Sequence, residues 1–295
     1  LIGNDSVHAS IVAIGDEILE GFVRDTNSGW LAERLRQLGI TLDRVVVVPD
    51  DVGAIVETLR AELSRSRPRL VFTSGGIGTT PDDRTMAAVA EYLDVELVGE
   101  PTLLRMVDGI VSRLTERGHT VDASQRTALA KLAQVPRGAR ALTGPKGSAP
   151  GVRIELDGGV DAEHGATVVI LPGVPQQFRD LVRQLEPSLL AGRGAPHHVV
   201  ELRHPYPESV LTPTLEALER QMPDVRIGSY PGVECVLRVQ GQPEAVRRAV
   251  AELERVIAML DATPGMRRLA SAWQRGWRDR VDPVSTDPAD DAGHS

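Results

Sequence analysis

Three polar clusters, each following a short apolar run, hold the side chains in this sequence best suited to chemistry. The first is Gly15-Asp16-Glu17-Ile18-Leu19-Glu20-Gly21, followed by Asp25-Thr26-Asn27. The second is Pro49-Asp50-Asp51, and the third runs Ser74-Gly75-Gly76-Ile77-Gly78-Thr79-Thr80-Pro81-Asp82-Asp83-Arg84-Thr85. Three glycines within four residues, after a buried strand, let the backbone approach a ligand closely and turn its N–H groups inward. Thr80-Pro81-Asp82-Asp83 also reads as a helix start, with Thr80 as N-cap, Pro81 as the first helical residue and Asp83 as the reciprocal acid of a capping box. That reading requires no ligand.

Charge discriminates between the ligands such a turn could hold. Asp16, Glu17, Asp50, Asp82 and Asp83 make the pocket acidic, and like charges repel a bare phosphate. A phosphate bridged by a hard divalent cation such as Mg²⁺ or Co²⁺ fits, as does a donor-rich ligand such as ribose or a pterin. The glycines are neither a P-loop, since no GK[ST] follows them, nor a dinucleotide fingerprint. In the cation reading the carboxylates hold the metal and the N–H groups of the glycine turn take the phosphate.

The elements that must position these clusters alternate. Residues 10–14, 45–48 and 70–73 are short apolar strands, the four-valine run reading as one buried on both faces. Between and after them, residues 26–38, 52–63 and 81–93 have helical periodicity. This spacing means βαβ units, a mostly parallel sheet and helices on both faces, with ligands outside the carboxyl ends of the strands. Residues 101–132 are helical with a break near Gly118, residues 152–156 and 167–171 are strands, and 176–190 is a helix. Residues 10–191 form the ligand domain. Residues 197–262 follow the GRGAP linker as a small α+β module in β-α-β-β-α order. Residues 263–295 read as a disordered tail, whose basic stretch with Trp273 and Trp277 fits a frayed, solvated helix.

The order GDEILEG, DTN, VPDD, SGGIGTTPDDRT, GSAPG and LPGVP resembles the molybdopterin-binding-type domain of the CinA (competence/damage-inducible protein A) family. It is more distantly similar to the MogA/MoaB enzymes of molybdenum-cofactor synthesis. The likeness spans residues 10–260, since IGSYP resembles the small module that follows this domain in CinA-like proteins. It implies a three-layer α/β/α fold. It also implies either metal-dependent pyrophosphatase action on ADP-ribose or FAD, or binding and adenylylation of molybdopterin. In the first case Asp50, Asp82 and Asp83 are expected to hold the metal and carry catalysis, the N–H groups of Gly75–Gly78 to take the diphosphate, and Asp16, Glu17 or Asn27 to hold water or ribose. Asp50 and Asp83 match the two aspartates that matter in MogA-like enzymes. Gly15, Ser74, Gly76, Thr79, Thr85, Ser148, Gly151, Pro172 and Gly173 fall in motifs expected to line the ligand. Thr79 stands where the family has proline. The amidase domain of full-length CinA proteins is not expected here. The resemblance implies a dimer or trimer.

Composition excludes other classes. The chain has 295 residues, a net charge of −8 and 3% aromatics, which argues against nucleic-acid or anionic-membrane surfaces. A single cysteine, Cys235, excludes an intramolecular disulfide and reads as a buried thiol in a strand. His197-His198, His119 and His204 read as packing or surface residues. With neither a spanning segment nor a secretory leader in view, the expected location is the cytoplasm.

Overall fold

The central apolar runs become the interior strands of a sheet, because each must bury both of its faces. In a computed structural model, which describes residues 7–66, 68–144, 150–195 and 198–281, the chain divides into two units, Leu1–Ala195 and Pro196–Ser295. The first unit begins β1 (His8–Ile14), α1 (Asp16–Leu19), α2 (Asn27–Gln37), β2 (Thr41–Val48), α3 (Val52–Leu63), β3 (Arg69–Ser74) and α4 (Thr85–Leu93). It continues β4 (Leu97–Gly99), α5 (Pro101–Glu116), α6 (Ala123–Lys131), β5 (Gln134–Pro136), β6 (Arg140–Leu142), β7 (Gly151–Leu156), β8 (Ala166–Leu171) and α7 (Pro175–Leu185), which runs into a π-turn over Glu186–Leu190.

The main sheet has the order β2-β1-β3-β8-β7-β6. Its first four strands are parallel, and β7 and β6 are antiparallel additions. Successive side chains alternate between faces. Val12, Ile14, Val71, Val168 and Ile170 pack with Ile55, Leu59 and Leu63 of α3 and Ala88 and Val89 of α4. Ile11, Leu70, Phe72, Val169 and Leu171 pack with Leu31 and Leu35 of α2 and Phe178 and Leu181 of α7. Each fully buried side chain of this kind contributes about 1.5–3 kcal/mol. The result is the three-layer α/β/α fold expected.

Two local expectations are corrected here. The four-valine strand is not covered on both faces: β2 is an edge strand, and Val45 is 43% exposed. Its register against β1 jumps from Ala9↔Leu42 to Ser10↔Arg44, so Asp43 is a bulged residue. The bulge breaks a long apolar edge and turns Asp43 to His8 Nδ1 (2.9 Å) and Arg69 (2.8 Å). The second correction concerns the helix expected over 81–93, which begins only at Thr85. Thr85 donates its N–H to the Gly76 carbonyl and its hydroxyl to that of Gly75, so the chain is held at the strand end until that residue.

The second unit contains β9 (His198–His204), α8 (Glu208–Gln221), β10 (Val225–Tyr230), β11 (Cys235–Gly241), α9 (Pro243–Ala262) and α10 (Pro264–Val281). Its antiparallel sheet, β10-β11-β9, carries α8 and α9 over Leu211, Leu237, Val239, Val246 and Leu253. Cys235 and His204 are buried cross-strand neighbours. The expectation of a structureless tail from residue 263 fails over α10. There Trp273 and Trp277 stack with centroids 5.8 Å apart, and Trp273 Nε1 donates to the Gly232 carbonyl at 3.2 Å. Apolar burial and an indole hydrogen bond fix a helix whose basic composition alone suggested fraying. No helix among the described residues is long and apolar enough to cross a membrane.

Candidate functional site

The topology brings the first and third polar clusters together with the β8 exit, because β1, β3 and β8 are adjacent and parallel. Gly75 and Gly76 follow β3 at φ 108° and 65°, conformations that favour glycine. A Cβ on Gly75 would lie 2.2 Å from the Ile14 carbonyl, and one on Gly76 would lie 2.3 Å from the Thr85 hydroxyl. A Cβ on Gly173 would lie 3.4 Å from Gly75 Cα, so the β3 and β8 exits nearly touch.

The N–H groups are not all available, which refines the expected cradle. Gly75 donates to the Leu171 carbonyl at 3.0 Å and Gly15 to that of Val48 at 3.1 Å. Both are spent on strand ends. The N–H groups of Gly76 and Gly78 have no acceptor among the described residues, so the free donors begin one residue later than the sequence suggested. Gly151 opens β7, where a Cβ would meet the Ile170 carbonyl at 2.7 Å; its position answers to sheet pairing. Pro172 is buried and Thr79 half-buried. Ser148 lies outside the described residues.

Asn27, 4% exposed, ties the strand ends together. Its Nδ2 donates to Ser74 Oγ (2.9 Å) and to the Gly173 carbonyl (2.8 Å). A carbonyl can only accept, so the amide orientation is fixed by chemistry. Asn27 Oδ1 is buried without a partner among the described residues. Asp25 accepts from the N–H groups of Asn27 and Ser28 and so caps α2. Beside them lies a cleft of about 90 Å³ lined by Glu17, Asn27, Ser74 and Gly173, among others.

The carboxylates differ from one another. Asp50 Oδ2 accepts from the Asp16 N–H at 3.0 Å. Burial, followed by the charges of Asp16, Glu17 and Asp82, pushes the Asp50 carboxyl above its ordinary value despite that bond. Asp82 is exposed; the Thr80 hydroxyl, its own backbone amide and the charges of Lys131 and Arg84 hold it below the usual range. Asp83 Oδ2 accepts from both the Thr80 N–H (2.8 Å) and the Thr80 hydroxyl (2.6 Å). Asp83 thus makes the acid half of the expected capping box, but its own N–H goes to the Thr80 carbonyl and not to the hydroxyl, so the pair closes a loop ahead of the helix and Thr80 is not its N-cap. Lys131, at the end of α6, donates to the Thr80 carbonyl. The sequence reading missed it, and a lysine 51 residues away in a separate helix gives no local signal. Among the described residues no three His, Cys, Asp or Glu side chains stand close enough to form a complete metal set by themselves.

A family model described as "probable molybdopterin binding domain" matches residues 10–191, more than half of the chain. The chain belongs to that family. Its relatives include a protein of Pyrobaculum calidifontis, 36% identical over 227 residues that cover 76% of this chain and 80% of that one. A CinA-like protein of a Mycobacterium species is 36% identical over 223 residues, 74% of this chain and 51% of that protein. The solved CinA structure from Thermoplasma acidophilum is 30% identical with a TM-score of 0.52, covering 63% of this chain and 99% of that one. This molybdopterin-binding-type domain is thus CinA-like in sequence. All three of its polar clusters lie inside the matched residues.

Proposed function

We propose that the strand-end site binds the phosphate of a nucleotide or pterin, and that its reaction is metal-dependent hydrolysis of a nucleotide diphosphate such as ADP-ribose or FAD. One observation carries this reading: free N–H groups at Gly76 and Gly78 stand beside an acidic group that lacks a cation. Asp50, Asp16 and Glu17 have no ion-pair partner among the described residues.

The donor set fits a hard divalent cation of the kind that binds through one or two carboxylates plus substrate phosphates. Asp50, whose carboxyl is pushed up by burial and then by neighbouring acids, is the side chain such a cation would relieve most. Asp82 and the free Oδ1 of Asp83 are the nearest supplementary ligands in the sequence of the loop. When bound, the cation neutralises phosphate oxygens and acidifies a water. The chain's own groups then orient the ligand: Gly76 and Gly78 donate to the diphosphate, and Asn27 holds the two glycine-bearing exits in register.

The family description favours a second reading, in which molybdopterin is bound or adenylylated and the same acids accept hydrogen bonds from the pterin. Incubation with ADP-ribose or FAD and Mg²⁺ or Co²⁺ separates the two. Release of AMP, lost in Asp50→Asn, supports hydrolysis. Ligand binding without cleavage overturns it. Pterin fluorescence after oxidation of the purified chain supports the second reading. The cytoplasm is the compartment consistent with either substrate, and a homo-oligomer is expected in both.

A further inference from the structure

A second cavity, on the flank of the sheet and separate from the strand-end acids, has the opposite electrostatic character. Arg140 of β6 and Arg153 of β7 are directly opposed across an antiparallel pair. Like charges in that relation are destabilising unless something lies between them. Arg153 has a single long contact to Glu155 (3.4 Å), and Arg140 has no ion pair among the described residues. Both arginines line a cavity of about 320 Å³, a volume within the range of small-molecule sites.

The rest of the lining is consistent with one ligand class. Thr143 and Gln184 add neutral polar groups, and Leu142, Leu181 and Leu185 supply an apolar floor. No Asp or Glu lines the cavity among the described residues. Ser188 contributes from the π-turn that extends α7, and its hydroxyl already donates to the Leu185 carbonyl at 3.2 Å. Two cations, one unpaired among the described residues and one with only a long contact to Glu155, together with neutral donors and an apolar floor, suit an organic anion: a phosphate or carboxylate joined to a compact apolar group. Arginine pairs grip such groups through their planar forks.

We infer that the β6–β7 flank is a binding site for a small organic anion, held by Arg140 and Arg153 over the Leu142, Leu181 and Leu185 floor. It goes beyond the reading of the strand-end site and needs no divalent cation.

Calorimetry on the full chain tests it with phenyl phosphate, benzoate and inorganic phosphate, each in the presence of EDTA. The expected result is saturable binding of an organic anion, stronger than that of inorganic phosphate and weakened at least tenfold in Arg140→Gln/Arg153→Gln. Tighter binding of phenyl phosphate than benzoate identifies a phosphate ligand, and the reverse identifies a carboxylate. Absence of saturable binding by either organic anion overturns the inference, as does affinity unchanged in the double variant. Folding gives an independent readout. Arg140 is exposed, so removing its charge should raise the ligand-free Tm by up to ~3 °C through lost repulsion. A fall in Tm would mean that Arg140 serves an internal partner, and would overturn the site.

Discussion

Replacing Asp50 with Asn should make the ligand-free protein more stable and the cation-loaded protein less so. Asp50 is half-buried, faces Asp16, Glu17 and Asp82, and has no cationic partner among the described residues. With the screening expected of a partly exposed site, each like-charge neighbour costs a few tenths of a kcal/mol, about 1 kcal/mol together. Asn can still accept from the Asp16 N–H, though a neutral acceptor is weaker by roughly 0.5 kcal/mol. The balance is a gain of about 0.5 kcal/mol, or a Tm rise of about 1–2 °C for a unit of this size. The pH dependence follows from the raised carboxyl. Its protonated form is favoured on folding, so the stability it lends is complete below the unfolded value near ~3.9 and lost as pH rises through the folded one. The advantage of Asp50→Asn should therefore open above pH ~4 and then stay constant. Scanning calorimetry with and without Mg²⁺ or Co²⁺ is the assay. A cation at ten times its Kd adds about 1.4 kcal/mol to the wild type, and little to the variant. If Asp50→Asn melts lower without cation, or if the cation raises both proteins equally, Asp50 is a structural acceptor and the cation argument collapses.

Other substitutions probe the frame around that site. Gly75→Ala forces a Cβ to 2.2 Å from the Ile14 carbonyl at φ 108°; a loss of about 3 kcal/mol is expected in urea unfolding, and an unchanged midpoint would disprove the tight approach. Glu62→Gln leaves fully buried Arg69 short of charge and should cost about 3–5 kcal/mol by the same measurement, while ligand affinity at the far end of the strands is unchanged. Burial pushes Asp43 up, but hydrogen bonds from His8 and Arg69 outweigh it and hold the carboxyl below its ordinary value. Its contribution is present above ~3.9 and lost as pH falls through the folded value, so urea midpoints should drop in acid for wild type and less for Asp43→Asn. Trp273→Ala removes the bond to Gly232 and the stack on Trp277; loss of far-UV helicity and of near-UV indole ellipticity should follow, and an unchanged spectrum would argue against a docked α10.

How much of this was legible in the sequence depended on whether local pattern or long-range contact decides an element. β1, β3 and β8 are buried on both faces, so their apolar runs are continuous and unmistakable. The edge position of β2 was not legible, since a valine run looks the same with one neighbour or two. β4, β5 and β6 have three residues each, too few for any periodicity to register. The helix over Val52–Leu63 showed its apolar face, although its Asp51 cap went unread, whereas the delayed start of α4 depends on Thr85 bonding back to Gly75 and Gly76. Asn27 was picked out as a ligand residue from the DTN pattern. That it bridges Ser74 and Gly173, 47 and 146 residues away, only the fold could reveal.

The two ends of the same sheet give the strongest reason to separate function from stability here. At the amino end of β1 and β3, acids and bases are matched: Glu62 meets Arg44, Ser10 and Arg69, and Asp43 meets His8 and Arg69. At the carboxyl end, Asp16, Glu17 and Asp50 gather without a counter-ion among the described residues, although Arg24 and Arg84 are close in the sequence. Acids that served only to cap or solubilise would gain from a nearby arginine, as the amino end demonstrates. Leaving them uncompensated around a buried glycine turn costs stability, and that cost is offset only when a ligand brings the missing positive charge or hydrogen-bond donors. Lys131 bonds to the Thr80 carbonyl and fixes the loop, its charge acting on exposed Asp82 and forming no ion pair with Asp16, Glu17 or Asp50 among the described residues. Electrostatic mismatch at one end and match at the other is what the proposed cation or donor at the strand-end cluster would account for.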